Sequence, residues 1–185
     1  MPDGKSRGKF APYVLGTGML ALAASAAAFT VFAWALGEAK AGFLFTMGLA
    51  LPTGLFLRWL GRPDAEPSRR EALIAVLLMW LLLPAFAATP YVIDGGMSGL
   101  NAMFESMSGF TTTGATVLTD FGAFGKALFL WRSMSQWVGG IGILVLFIAV
   151  FPQLAIAGRQ LFFAEAPGPT EERLTPRLRH TAGAV

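Results

Sequence analysis

The chain has no cysteine in its 185 residues and a single histidine, His180. Disulfides, thiolate nucleophiles and Cys-ligated zinc or iron–sulfur centres are thereby excluded. His180 stands in a charged C-terminal stretch with no His or Cys beside it, so it reads as a solvated surface residue rather than a metal ligand. Charge is also scarce. Asp, Glu, Lys and Arg make up 14% of the chain against 55% hydrophobic residues, and mean hydropathy is +0.60, a composition that points to a membrane rather than to a soluble domain. The net charge of +3 does not indicate nucleic acid, because the basic residues sit between apolar runs. Ser106, Ser108 and Thr112 have no His or Lys in their segment to act as a base, which argues against an intramembrane hydrolase or any other enzyme.

What is present is a set of four apolar stretches, Tyr13–Leu36, Gly42–Leu57, Ala72–Ala88 and Phe129–Phe151, each near the ~20 residues that cross ~30 Å of hydrocarbon. The first three carry no charge and the fourth only Arg132 near its start. Pro52 and Pro84 lie inside two of them, where kinks rather than breaks are expected. A signal-peptide reading of the first stretch is disfavoured, since the run is long and continues through Trp34. Ala21, Ala24, Ser25 and Ala28 offer small residues at four-residue spacing, which suits helix packing in lipid and equally a plain Ala-rich helix. With four crossings and a cytoplasmic N-terminus, Lys40, Lys126 and Arg132 fall outside and the other eleven of the 14 Lys and Arg inside, which follows the positive-inside rule and puts both termini in the cytoplasm.

Between the third and fourth stretches lies a segment too apolar for an ordinary loop and too broken for a crossing. Leu100–Ser108 reads as a short helix stopped by Gly109, and Phe110–Thr116 as an extended return rich in β-branched Thr111, Thr112 and Thr113. Helix in and strand out make a re-entrant loop, tolerated at membrane depth only where protein surrounds it or water lines it. Gly114 lets the backbone take a positive φ, so that consecutive carbonyls can face one axis and replace a cation's hydration shell, while the helix C-terminus adds partial negative charge. An ordinary outer loop with hairpin character is the alternative. Glu105 reads as a hydrogen-bonding anchor of the short helix in preference to an ion ligand, and Asp94 and Asp120 as solvated residues at the outer mouth.

Ser108-Gly109-Phe110-Thr111-Thr112-Thr113-Gly114-Ala115-Thr116 resembles the first pore loop of the TrkH-like membrane subunits in the Trk/Ktr superfamily of potassium transporters. Phe104-Glu105 before it, Gln136-Trp137-Val138-Gly139-Gly140-Ile141-Gly142-Ile143 after it, and Ala164-Glu165-Ala166-Pro167-Gly168-Pro169 with Leu174-Thr175-Pro176-Arg177 agree in order and spacing from about Asn101 to Ala182. The first hundred residues match mainly in layout. The resemblance implies an all-α integral membrane protein with four transmembrane helices, one re-entrant pore helix and one filter loop, a quarter of a pseudo-fourfold pore. It implies potassium as the ion carried, with Thr112, Thr113 and Gly114 in the selectivity filter, Glu105, Gly109 and Thr111 supporting it, and no organic cofactor. Gln136, Gly139, Gly140 and Gly142 would lie on the inner helix, where packing and gating are both open readings. The domain layout is then 1–70 for the N-terminus and two leading helices, 71–157 for one helix, pore-loop, helix repeat, and 158–185 for a basic linker.

The family joins four such repeats, and this chain contains one. It is expected either to be a piece of a longer subunit or to assemble as a homotetramer; a non-transporting membrane scaffold is the third reading. The resemblance implies as partners the lipid bilayer, the remaining repeats, a second copy of the full subunit in a homodimer, and a cytosolic nucleotide-binding regulatory subunit of the TrkA kind. It implies a bacterial cytoplasmic membrane as location. Potassium against sodium selectivity stays open, because one glycine in a Thr-rich filter constrains few carbonyls.

Overall fold

The computed structural model describes residues 9–64, 67–119 and 124–144. The chain divides into two compact units, Met1–Gly142 and Ile143–Val185, and the relationships below lie in the first. Five helices, α1 (Phe10–Leu36), α2 (Ala41–Leu60), α3 (Arg69–Ala87), α4 (Thr89–Ile93) and α5 (Gly99–Phe110), precede a sixth, α6, whose described part covers residues 126–144. The described residues contain no strand. Three helical stretches are long and apolar enough to cross a membrane, Phe10–Leu36, Ala41–Leu60 and Arg70–Ile93. The rest of the fourth expected span, the linker 158–185, Asp120 and His180 lie outside the described residues.

The boundaries follow from cap chemistry. Helix α1 ends at Gly37, whose φ of 69° lets its N–H and that of Glu38 turn back to the carbonyls of Trp34 and Ala33. Ser68 accepts from the backbone N–H of Glu71 at the start of α3, and Ser98 from that of Asn101 at the start of α5. Pro52 and Pro84 do not interrupt α2 or α3. The Pro84 carbonyl accepts both the Ala88 N–H (2.9 Å) and the Ser106 hydroxyl (2.7 Å), which ties α3 to α5.

Three carboxylates cap helices other than their own. Glu71 accepts from the N–H groups of Phe10 and Ala11 at the start of α1 (3.0 and 3.3 Å), Asp94 from Gly42 in the first turn of α2 (2.9 Å), and Glu38 from Lys126 and Ala127 at the start of α6 (2.9 and 2.8 Å). Each carboxylate meets free donors and the positive end of a helix dipole, so the termini are satisfied by tertiary contacts and the helices are fixed end to end. Asp94 is thus a half-buried cap rather than the solvated residue expected.

Helix α1 packs on α2 through a different set of small residues. Ala21, Ala24 and Ala28 are exposed; Gly16, Met19, Ala23 and Ala26 are buried instead. A Cβ at Gly16 would lie 2.6 Å from the Arg58 backbone nitrogen and 2.7 Å from the Gly54 carbonyl, so Gly16 lets the backbones of α1 and α2 approach closely beside Gly54. Deeper in the core, Trp131 of α6 is fully buried edge-on to Phe29 of α1 (5.1 Å between centroids) and Phe43 of α2 (5.5 Å). Its indole N–H donates to the Ala87 carbonyl of α3 at 3.0 Å, so one side chain joins four helices.

Candidate functional site

Helix α5 runs for 12 residues, about 18 Å, and carries through Gly109 to Phe110. The chain does not leave the helix at Gly109 because that glycine serves a close approach: a Cβ there would collide with the Ser135 hydroxyl of α6. Reversal comes at Thr112 instead. The N–H groups of Thr111 and Thr112 return to the carbonyls of Met107 and Gly109 (2.8 and 2.9 Å), and those of Thr113 and Gly114 to the Ser108 carbonyl (3.1 and 3.4 Å).

Two residues of this turn have positive φ, Thr112 at 56° and Gly114 at 75°. Glycine adopts such a φ freely, and open space surrounds the position its Cβ would take, so backbone conformation rather than room selects Gly114. Thr112 is a β-branched residue in the left-handed region, a conformation that costs on the order of 1–3 kcal/mol and persists where surroundings impose it. Its hydroxyl donates to the Thr111 carbonyl at 2.7 Å, and the Thr111 and Thr113 hydroxyls are 2.8 Å apart. The expectation of an extended return from Phe110 through three threonines therefore fails at Phe110, which is helical, at Thr111, at φ −81° and ψ 2°, and at Thr112, where the hydrogen bonds back to Ser108 and Gly109 force a turn.

Behind the turn is a buried ion pair. Glu105 is fully buried; its Oε2 lies 2.9 Å from Nε of Arg132, and its Oε1 accepts from the Thr116 hydroxyl (2.5 Å) and the Val117 N–H (2.6 Å). Arg132 extends the bridge, donating from Nη2 to the carbonyls of Gly114 (3.3 Å) and Ala115 (3.0 Å), while the Ser108 hydroxyl donates to the Ala115 carbonyl at 2.6 Å. All the Glu105 oxygens are thus engaged in holding the loop against α5 and α6. Residues 111–117 are exposed, and among the described residues the carbonyls of Thr112 and Thr113 accept no hydrogen bond. The loop is pinned by Glu105 and Arg132 and leaves these two carbonyls without a protein partner there.

Of the residues singled out from sequence, Glu105, Gly109, Thr111, Thr112, Thr113 and Gly114 gather at this turn. Gly139 of α6 joins them, since a Cβ on it would collide with the Phe110 carbonyl at the end of α5. Gly140 is looser, its Cβ position 3.7 Å from the Thr112 methyl, and Gly142 meets the Trp80 ring at 3.7 Å instead. Gln136 is half-buried on α6. Sequence reading missed Arg132, Ser108 and Thr116. The signal for Arg132 was available: a lone cation within an apolar stretch needs a partner, and Glu105 is the one acid on the short helix.

Three helical stretches of spanning length and apolar composition, with no strand among the described residues, fit an integral membrane protein. The chain belongs to the TrkH family of cation transport proteins, whose family model matches residues 55–185. It is 39% identical over 144 residues to the Trk system potassium uptake protein TrkH of Escherichia coli (strain K12), covering 76% of this chain and 30% of that protein. Against the TrkH of Halomonas elongata it is 37% identical over 147 residues (77% and 30%), and against that of Vibrio parahaemolyticus 41% over 127 residues (67% and 26%). The chain therefore spans under a third of the length of these relatives.

Proposed function

We propose that this chain supplies one quarter of a pore for potassium uptake across a bacterial cytoplasmic membrane. The observation that carries the reading is the α5 turn, where Gly114 at a φ of 75° follows two carbonyls without hydrogen-bond partners and the Glu105–Arg132 pair clamps the loop. Such carbonyls can stand in for water around a dehydrated cation, and the C-terminal end of α5 contributes partial negative charge beside them. Thr112 and Thr113 are the principal potassium ligands in this account. The Gly114 carbonyl is shared with Arg132, and its main role is to set the backbone. In the bilayer α5 and the turn form the re-entrant pore loop, α6 continues as the fourth crossing, and both termini face the cytoplasm.

A single loop cannot encircle an ion, so the pore requires three more. The relatives' names as potassium uptake proteins and the chain's 30% share of their length favour further repeats on the same polypeptide over four separate copies of this one. The full subunit is then a homodimer served by a cytosolic nucleotide-binding subunit of the TrkA kind. Complementation tests the reading. In cells lacking potassium uptake, the complete reading frame restores growth at low potassium, while residues 1–185 alone do not; rescue by residues 1–185 with a cross-linked tetramer favours separate subunits, and failure of the complete frame contradicts potassium uptake.

A further inference from the structure

Basic residues from three segments converge at the end of the helix group opposite Glu38 and Asp94. The Arg62 N–H donates to the Lys9 carbonyl at 2.9 Å, which brings the end of α2 to the start of α1. The Arg58 guanidinium lies over the Tyr13 ring, 5.0 Å from its centroid, with Nη2 3.5 Å from the phenolic oxygen. Arg70 reaches the same end because its neighbour Glu71 caps α1. Arg58, Arg62 and Arg70 are exposed and Lys9 is half-buried. Among the described residues the Glu105–Arg132 pair is the only ion pair, so none of these four cations has a carboxylate partner there.

Next to the cations α2 exposes an apolar shelf. Leu55, Phe56, Trp59 and Leu60 all lie on its surface, Trp59 at 78%, and the Phe56 and Trp59 rings are 6.3 Å apart. Leu51 and Leu55 lie two turns and one turn before Arg58 on the same side of α2, both exposed, and Trp59 follows Leu55 by one turn, so this side changes from aliphatic through Trp59 to cationic, the order in which an anionic phospholipid changes from acyl chain to phosphate. We propose that this end of α1 and α2 binds an anionic phospholipid, with its phosphate on Arg58 and Arg62, supported by Lys9 and Arg70, and its acyl chain along Trp59, Leu55 and Leu51. Free phosphate would make no use of the aromatic shelf, and a soluble protein would have to displace bilayer from it. Tyr13 holds the Arg58 guanidinium in place, which lowers the ordering cost of binding. The proposal is independent of the pore reading, since none of these residues touches the α5 turn.

Native mass spectrometry of the complete subunit in neutral detergent tests it, with phosphatidylglycerol and phosphatidylcholine as competing probes. The expected result is retention of phosphatidylglycerol in preference to phosphatidylcholine, weakened about fivefold for each arginine removed in Arg58→Gln and Arg62→Gln. Trp59→Ala should weaken it too, and Lys126→Gln, at the other end, should not. Each arginine variant guards against misfolding of the other, and elution volume checks both. Equal retention of the two lipids, unchanged retention in the arginine variants, or full displacement by inorganic phosphate would each overturn the proposal. So would a soluble protein that copurifies with the parent and is lost from the arginine variants while lipid retention stays the same.

Discussion

Oε2 of Glu105, on the short helix α5, lies 2.9 Å from Nε of Arg132, on α6, and the pair is linked by the same guanidinium to the carbonyls of Gly114 and Ala115. Breaking a buried pair by removing one partner costs about 3–5 kcal/mol, because the other charge is left uncompensated. Glu105→Gln and Arg132→Met in the complete subunit should each lower the thermal midpoint and abolish selective transport. The double variant should be less destabilised than the sum of the two, with a coupling of roughly 0.5–3 kcal/mol. Strict additivity in a double-mutant thermal-unfolding series would remove the pair from its role as clamp.

Adjacent glycines on α6 give a matched comparison. A Cβ at Gly139 would collide with the Phe110 carbonyl, a backbone atom that cannot swing aside, whereas at Gly140 the nearest atom is a methyl at an ordinary 3.7 Å. Gly139→Ala is expected to cost about 1–3 kcal/mol through overpacking and to displace the end of α5. Gly140→Ala should be close to neutral in thermal stability. If potassium flux is lost in Gly140→Ala while stability is kept, Gly140 has a gating part that packing does not explain.

The parts legible in sequence were those written in local chemistry. The three charge-free runs became α1, α2 and the α3–α4 stretch because hydrophobic length is a property of the segment itself. Gly114 was legible for the same reason: a glycine among β-branched residues marks a backbone demand, and its φ is 75°. Thr112 was not, since local preference puts a β-branched residue in extended backbone and only the return of the Thr113 and Gly114 N–H groups to Ser108 overrides it. The carboxylate caps were hidden because Glu38 and Ala127, or Asp94 and Gly42, are distant in sequence, and no local pattern marks a cap supplied from another helix. Gly109 resembled a helix stop and is instead a contact point for Ser135.

The orientation proposed for the bilayer rests on the distribution of Lys and Arg. Reporter fusions after Arg70 and at the C-terminus of the chain should read cytoplasmic, and a fusion after Gly122 external. An external reading at the C-terminus would imply an odd number of crossings and would remove the re-entrant loop from the account.

The central claim, that the turn after α5 is an ion filter, rests most directly on Gly114. Its φ of 75° and the open space at its Cβ position mean that Gly114→Ser meets no steric obstacle, only the cost of a side chain in left-handed backbone, about 1–2 kcal/mol. The measurement is potassium and sodium flux in vesicles reconstituted with the complete subunit, comparing the parent, Gly114→Ser and Gly122→Ser. The account predicts normal insertion for all three, a fall of about tenfold in the potassium-to-sodium ratio for Gly114→Ser, as expected of ~1.4 kcal/mol, and little change for Gly122→Ser. A Gly114→Ser protein that carries both ions as the parent does would contradict the filter assignment, and with it the roles proposed for Thr112 and Thr113.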